Sequence, residues 1–207
     1  MVAGEFGWGQ MPAADLAFDA PRNSGAVPPQ LRRCRRVVAI TVHLPEFLVA
    51  ASGLVQRLAA AGVRTDVLVA AEADEQADDA AGTALAELGV PELARHRLAL
   101  PSPIGADRAD DLLAGMSELV GFDPEPGVYC LAPAMDGVDA SQAVVADAAR
   151  RIARVYRLKL VQFTATPDAA VVDLELDGPE WARKCAALAA CATQVTPLTG
   201  RREYFGL

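Results

Sequence analysis

Hydrophobic positions along the chain fall into two alternating patterns. Val37-Val38-Ala39-Ile40-Thr41-Val42 is an unbroken, β-branched run, as expected of a strand buried on both faces of a parallel sheet. After a turn at His43-Leu44-Pro45-Glu46, Leu54, Val55, Leu58 and Ala61 recur at helical spacing up to Gly62, and Thr65 to Ala70 reads as a second strand. Strand, helix and strand make a βαβ unit, and the alternation continues. Residues 77 to 89 predict a helix ending at Gly89, Arg95 to Leu100 a short strand, residues 107 to 120 a third helix and Gly127 to Leu131 another strand. A loop with Met135-Asp136-Gly137 opens a fourth helix with Val145, Ala148, Ala149, Ile152 and Tyr156 on one stripe, while Arg150, Arg151, Arg154 and Arg157 form a solvated face. Two strands follow, Leu158 to Phe163 and Val171 to Leu174, before a last helix expected to bury Trp181, Cys185, Leu188 and Ala192. This pattern predicts an α/β fold, a Rossmann-like three-layer sandwich with a mostly parallel sheet and helices on both faces. Ligands on such sheets bind at the carboxyl ends of the strands, here the loops after the first, second and Val128 strands.

Residues 1–35 show no sustained apolar period and read as an irregular N-terminal arm ahead of a domain over 36–207. Four arginines in Arg32-Arg33-Cys34-Arg35-Arg36 are either an anion or nucleic-acid contact or, more simply, a solvated lead-in to the first strand. At 207 residues, 52% hydrophobic and 22% charged, the composition fits one globular domain. No apolar run approaches the ~20 residues of a membrane span, and the N-terminus lacks the basic and apolar regions of a secretory signal, so a cytoplasmic address is expected. A net charge of −8 argues against nucleic acid and anionic membranes as partners. Cys34, Cys130, Cys185 and Cys191 are too widely spaced for a zinc or redox motif and are expected to be buried thiols. Two lysines against seventeen arginines, with abundant alanine, suggest a GC-rich bacterial gene.

The first turn holds the most specific chemistry. His43 and Glu46, three apart at a strand end, supply an imidazole nitrogen and a carboxylate oxygen suited to one divalent cation. A third ligand would have to come from the loop after Cys130, where Asp136 and Asp139 are the candidates. The other histidine, His96, lies between two arginines and reads as a surface or satisfied core residue.

The strand, His43 turn, helix and second strand resemble the start of the PIG-L/LmbE-like de-N-acetylases, zinc-dependent amidases that remove acetyl groups from amino sugars and related compounds. Ala84-Leu85-Ala86-Glu87-Leu88-Gly89-Val90, running on to Leu98-Ala99-Leu100-Pro101, is similar to the family's Ala-rich helix, Leu-Gly-Val turn and next strand. Asp136-Gly137-Val138-Asp139-Ala140-Ser141 falls where the family has His-Pro-Asp-His, and Lys184, Ala187, Leu188 and Thr193-Gln194 resemble its C-terminal Lys-x-x-Ala-Leu pattern ending in Ser-Gln. The likeness extends over about residues 36 to 198.

The departures from that pattern concentrate at the active site. The family's His-Pro-Asp-Asp-Glu, with a ligand histidine, a base aspartate and a ligand aspartate, corresponds to His43-Leu44-Pro45-Glu46-Phe47. The resemblance therefore puts Pro45 at the base and Glu46 at the ligand aspartate. In the second motif Asp139 matches the aspartate and Ala140 stands at the ligand histidine. The Thr-Asp-Gly after the second strand becomes Ala71-Glu72-Ala73, and the family's helical Arg and Glu fall near Ala77 and Ala80. Hydrolytic zinc needs about three protein ligands, an open water position and a base. Neither proline nor alanine can serve in those roles.

The resulting expectation is a degenerate deacetylase fold with no catalytic residue, no metal and no cofactor. Its vestigial pocket at His43, Glu46, Asp136 and Asp139 would bind a small molecule, or a surface would bind a protein partner, with a homo-oligomer left open. The alternative is an active metal-dependent N-deacetylase or amidase in which zinc is held by His43, Glu46 and Asp136 or Asp139.

Overall fold

The computed structural model describes residues 26–135, 139–164, 172–191 and 201–207. Their strands are β1 (Arg36–Thr41), β2 (Arg64–Ala71), β3 (Leu93–Leu100), β4 (Val128–Pro133), β5 (Lys159–Thr164), β6 (Val172–Glu175) and β7 (Arg202–Gly206). Their helices are α1 (Leu44–Ala60), α2 (Glu75–Leu88), α3 (Ala109–Val120), α4 (Ala140–Val155) and α5 (Gly178–Ala190). The sheet order is β3-β2-β1-β4-β5-β7-β6. β3 to β5 in that order are all parallel, and β7 lies antiparallel between β5 and β6. The expected mostly parallel α/β sheet is present.

The β1 sequence explains its central place. Val37 and Ala39 face one apolar cluster while Val38 and Ile40 face another, and all four are buried. Helices α1, α2 and α5 supply Phe47, Leu54, Ala84 and Ala187 to the first cluster; α3 and α4 supply Leu112, Met116, Val145 and Ile152 to the second. The result is three layers. Strand order reverses at β1, where neighbours run outward to β2 on one side and β4 on the other, so the carboxyl ends of these strands form a switch-point crevice. Leu31 and Cys34, ahead of β1, belong to the first cluster, whereas residues 1–25 of the expected arm lie outside the described residues.

Two features depart from the sequence reading. Strand β7 is not predicted by the apolar pattern, because its inward position Glu203 is charged yet only 2% exposed. The buried face of α5 is also rotated by one position: Glu180, Lys184 and Ala187 point inward with Cys191 just beyond, Trp181 and Leu188 are half-buried and Cys185 is exposed. Ala192 lies outside the described residues. One residue turns a helix by about 100°, and the rotation follows from two internal ion pairs. Lys184 Nζ lies 2.7 Å from Glu203 Oε1, with both side chains fully buried, and also donates to the Val49 carbonyl. The Glu203 carboxylate further accepts from Ser52 Oγ at 3.2 Å and from the Gly53 and Leu54 amides at 2.9 and 3.0 Å. Arg57 pairs with both oxygens of Glu180 at 2.8 and 2.9 Å and donates to the Glu175 carbonyl. Glu180 also completes a capping box with Asp177 at the start of α5.

Apart from Cys185, the cysteines are buried. Burial pushes the Cys34 thiol up to about 11 and Cys130 up to about 12, so neither is a nucleophile at neutral pH. Among the described residues no helix is long and apolar enough to cross a membrane.

The lower end of the sheet is held by Asp66, which is 1% exposed. Its carboxylate meets Arg36 Nε at 2.8 Å, Arg64 Nη2 at 3.0 Å and His96 Nε2 at 3.2 Å. Burial pushes this carboxyl up, but hydrogen bonds from Arg36, His96 and Arg64 outweigh it and hold the group below its ordinary value. A depressed carboxylate stabilises the fold above its unfolded pKa, about 3.9, and that contribution disappears as pH falls through the folded value. Asp66→Asn is therefore expected to cost about 1–3 kcal/mol at pH 7. The gap between the two proteins in urea melts should narrow below about pH 4.

Candidate functional site

The carboxyl end of β1 leads directly into α1. Thr41 Oγ1 donates to the His43 carbonyl at 3.0 Å, which fixes the turn, and His43 occupies the N-cap of α1 in extended conformation. Pro45 sits in the first turn, where its missing N–H is one that the helix leaves unpaired anyway. Pro45, which the resemblance puts at the base position, thus has a local structural role as a helix starter.

Glu46 also lies in that first turn, half-buried. Burial pushes its carboxyl up. Attraction to His43 and hydrogen bonds from the Gln142 side chain and the His43 backbone N–H oppose this, and the nearby Asp139 charge adds to it. Asp139 is the N-cap of α4, its Oδ1 accepting from the Ser141 amide at 2.7 Å. Glu46 thus lies within electrostatic reach of both His43 and Asp139, and the Asp139 carboxylate is engaged by a backbone amide of α4. Asp136, the fourth expected member, lies outside the described residues. Among the described residues no group of three or more His, Cys, Asp or Glu is arranged to hold a metal ion. Hydrolytic zinc needs about three converging ligands, and the described donors His43, Glu46 and Asp139 do not by themselves make such a group.

A cleft of about 90 Å³ opens on the other side of His43, toward β2 and β3. Its floor is small and apolar, with Ala71, Ala77, Ala80 and Ala81, and Pro45 lies on its wall. The resemblance puts the family's helical Arg and Glu near Ala77 and Ala80, and the short side chains here leave the space open. The charged lining consists of Asp78 on α2, Arg95 and Arg97 on β3, and the exposed Glu72. Asp78 Oδ1 lies 2.9 Å from both Arg95 Nη2 and Arg97 Nη1. Sequence reasoning missed these residues. Their signal was strand alternation: the two-residue period places Arg95 and Arg97 on the α2 side and His96 on the opposite side, against Asp66.

No protein-family model matches the sequence, and no curated protein matches it. Solved structures do match. The conserved protein TT1542 from Thermus thermophilus superposes with a TM-score of 0.64 at 17% identity, over 84% of this chain and 94% of that one. N,N'-diacetylchitobiose deacetylase from Pyrococcus horikoshii gives 0.58 at 12% identity, over 79% and 72% of the two chains. GalB, the 4-carboxy-2-hydroxymuconate hydratase from Pseudomonas putida, gives 0.56 at 16% identity, over 77% and 80%. Identities this low show the fold alone. In architecture, then, the chain has the PIG-L/LmbE deacetylase fold that its motif layout resembles.

Proposed function

We propose that this protein is a degenerate form of the PIG-L/LmbE deacetylase fold, one that binds a small molecule in the crevice beside His43 and does not hydrolyse an amide with zinc. The observation that carries this reading is that Asp139, one of the expected ligands, is taken up as the N-cap of α4, while Pro45 stands where the resemblance would need a base. A general base contributes typically about 10²–10⁴-fold to rate, and a missing metal removes the activated water as well. The fold does not dictate deacetylation, since a hydratase is among its structural neighbours.

The test is acetate release from N-acetylglucosamine by the full chain with and without added zinc. The expected result is no release above that of buffer containing zinc. Turnover that depends on zinc and is lost in His43→Ala would instead establish the hydrolase.

A further inference from the structure

We propose that the cleft beside His43 takes a small organic carboxylate, with Arg97 as the main partner of the anion and the alanine floor receiving its hydrocarbon part. This rests on reading the crevice as a binding site.

The charge arrangement is specific. Two guanidinium groups converge on a single oxygen of Asp78. Although both nitrogens lie 2.9 Å from Asp78 Oδ1, that buried oxygen has no donor aligned on it. The guanidinium N–H groups are therefore directed elsewhere. Arg95 turns one toward the Asp78 carbonyl at 3.5 Å and is largely covered, its side chain 20% exposed. Arg97 is 56% exposed, and among the described residues its guanidinium makes no other ion pair or hydrogen bond. A guanidinium carries five donors in a planar fork that matches a carboxylate bidentately. Arg97 is thus held at the cleft by Asp78 with most of its donors unused.

The remaining lining selects the ligand class. Alanine, proline and leucine side chains predominate, which suits a short hydrocarbon body anchored by a few polar groups. A volume of about 90 Å³ admits a short-chain acid. A phosphate would set further oxygens against the alanine floor, and its second charge would face Asp78 and Glu72. Glu72 lies exposed at the cleft, so its repulsion is weakened by solvent and salt. It opposes binding without blocking it.

Titration of the full chain at low ionic strength with butyrate, butyramide and inorganic phosphate tests the proposal by calorimetry. Butyrate is expected to bind one-to-one with Kd of about 1 mM, the scale for so few atoms. Butyramide should show no binding, Arg97→Gln should weaken butyrate about tenfold or more, and Glu72→Gln should tighten it. Arg97 is a surface side chain on the sheet edge, so that variant is expected to fold normally, with circular dichroism as the check. Absence of butyrate binding, equal binding by Arg97→Gln, or a preference for phosphate would overturn the assignment. Zinc content of the same samples separates the two readings: zinc-free protein that ignores butyrate refutes this inference alone, whereas stoichiometric zinc with acetate release refutes the function proposed above.

Discussion

Replacing Lys184 with Met is expected to destabilise the fold by about 3–5 kcal/mol, the usual cost of leaving one member of a buried pair without its partner. Both side chains are at 0% exposure, so no solvent reaches the Glu203 carboxylate once the ammonium is gone. Three donors from α1 would still hold that carboxylate, but none carries a full charge. The double variant Lys184→Met with Glu203→Gln removes both charges and keeps an acceptor oxygen for one of the Gly53 and Leu54 amides, which donate to different oxygens of the carboxylate. It should be more stable than Lys184→Met alone in urea melts. A double variant equal to or worse than the single one would mean that the pair acts through packing and not through charge.

Arg57→Met is expected to be comparably damaging, again about 3–5 kcal/mol. The Arg57 side chain is 1% exposed and Glu180 7%, and the guanidinium joins three parts of the fold: both oxygens of Glu180 on α5, the Glu175 carbonyl at the end of β6 and the Ala26 carbonyl ahead of β1. Methionine fills much of the same volume, so the loss reports electrostatics and hydrogen bonding more than a cavity. Because Glu180 also caps α5, hydrogen exchange should rise first in α5 and β6. Uniform protection loss across β1 and β2 would contradict that local role.

These two networks also explain where sequence reading succeeds and fails. Val37 to Ile40 can be placed at the sheet centre because every residue is apolar, and a strand with no polar face has to be covered on both sides. The β1–α1–β2 unit is legible for the same reason, with Gly62 after α1 at the positive φ that glycine favours. The α5 face is misread when aromatic and thiol side chains are assigned to the interior. The chain instead buries Glu180 and Lys184, and no periodicity reveals charges that are paired across 123 or 19 residues of sequence. Strand β7 is hidden by the same pairing, since Glu203 occupies an inward position.

At the site, His43 can be located from the end of the first strand and Asp139 from the opening of the fourth helix. That Asp139 would be engaged as a helix-terminal acceptor depends on backbone geometry that residue types alone do not carry. The Asp78, Arg95 and Arg97 group requires knowing that α2 lies over β3, although the alternation of Arg95-His96-Arg97 already separates the arginines from the histidine.

The central claim is that the crevice residues do not form a zinc site, and the most direct test is calorimetric titration of the intact protein with zinc at neutral pH, beside His43→Ala. No tight one-to-one binding is expected, with the same weak heats for both proteins. Tight, stoichiometric zinc binding that disappears in His43→Ala would contradict it.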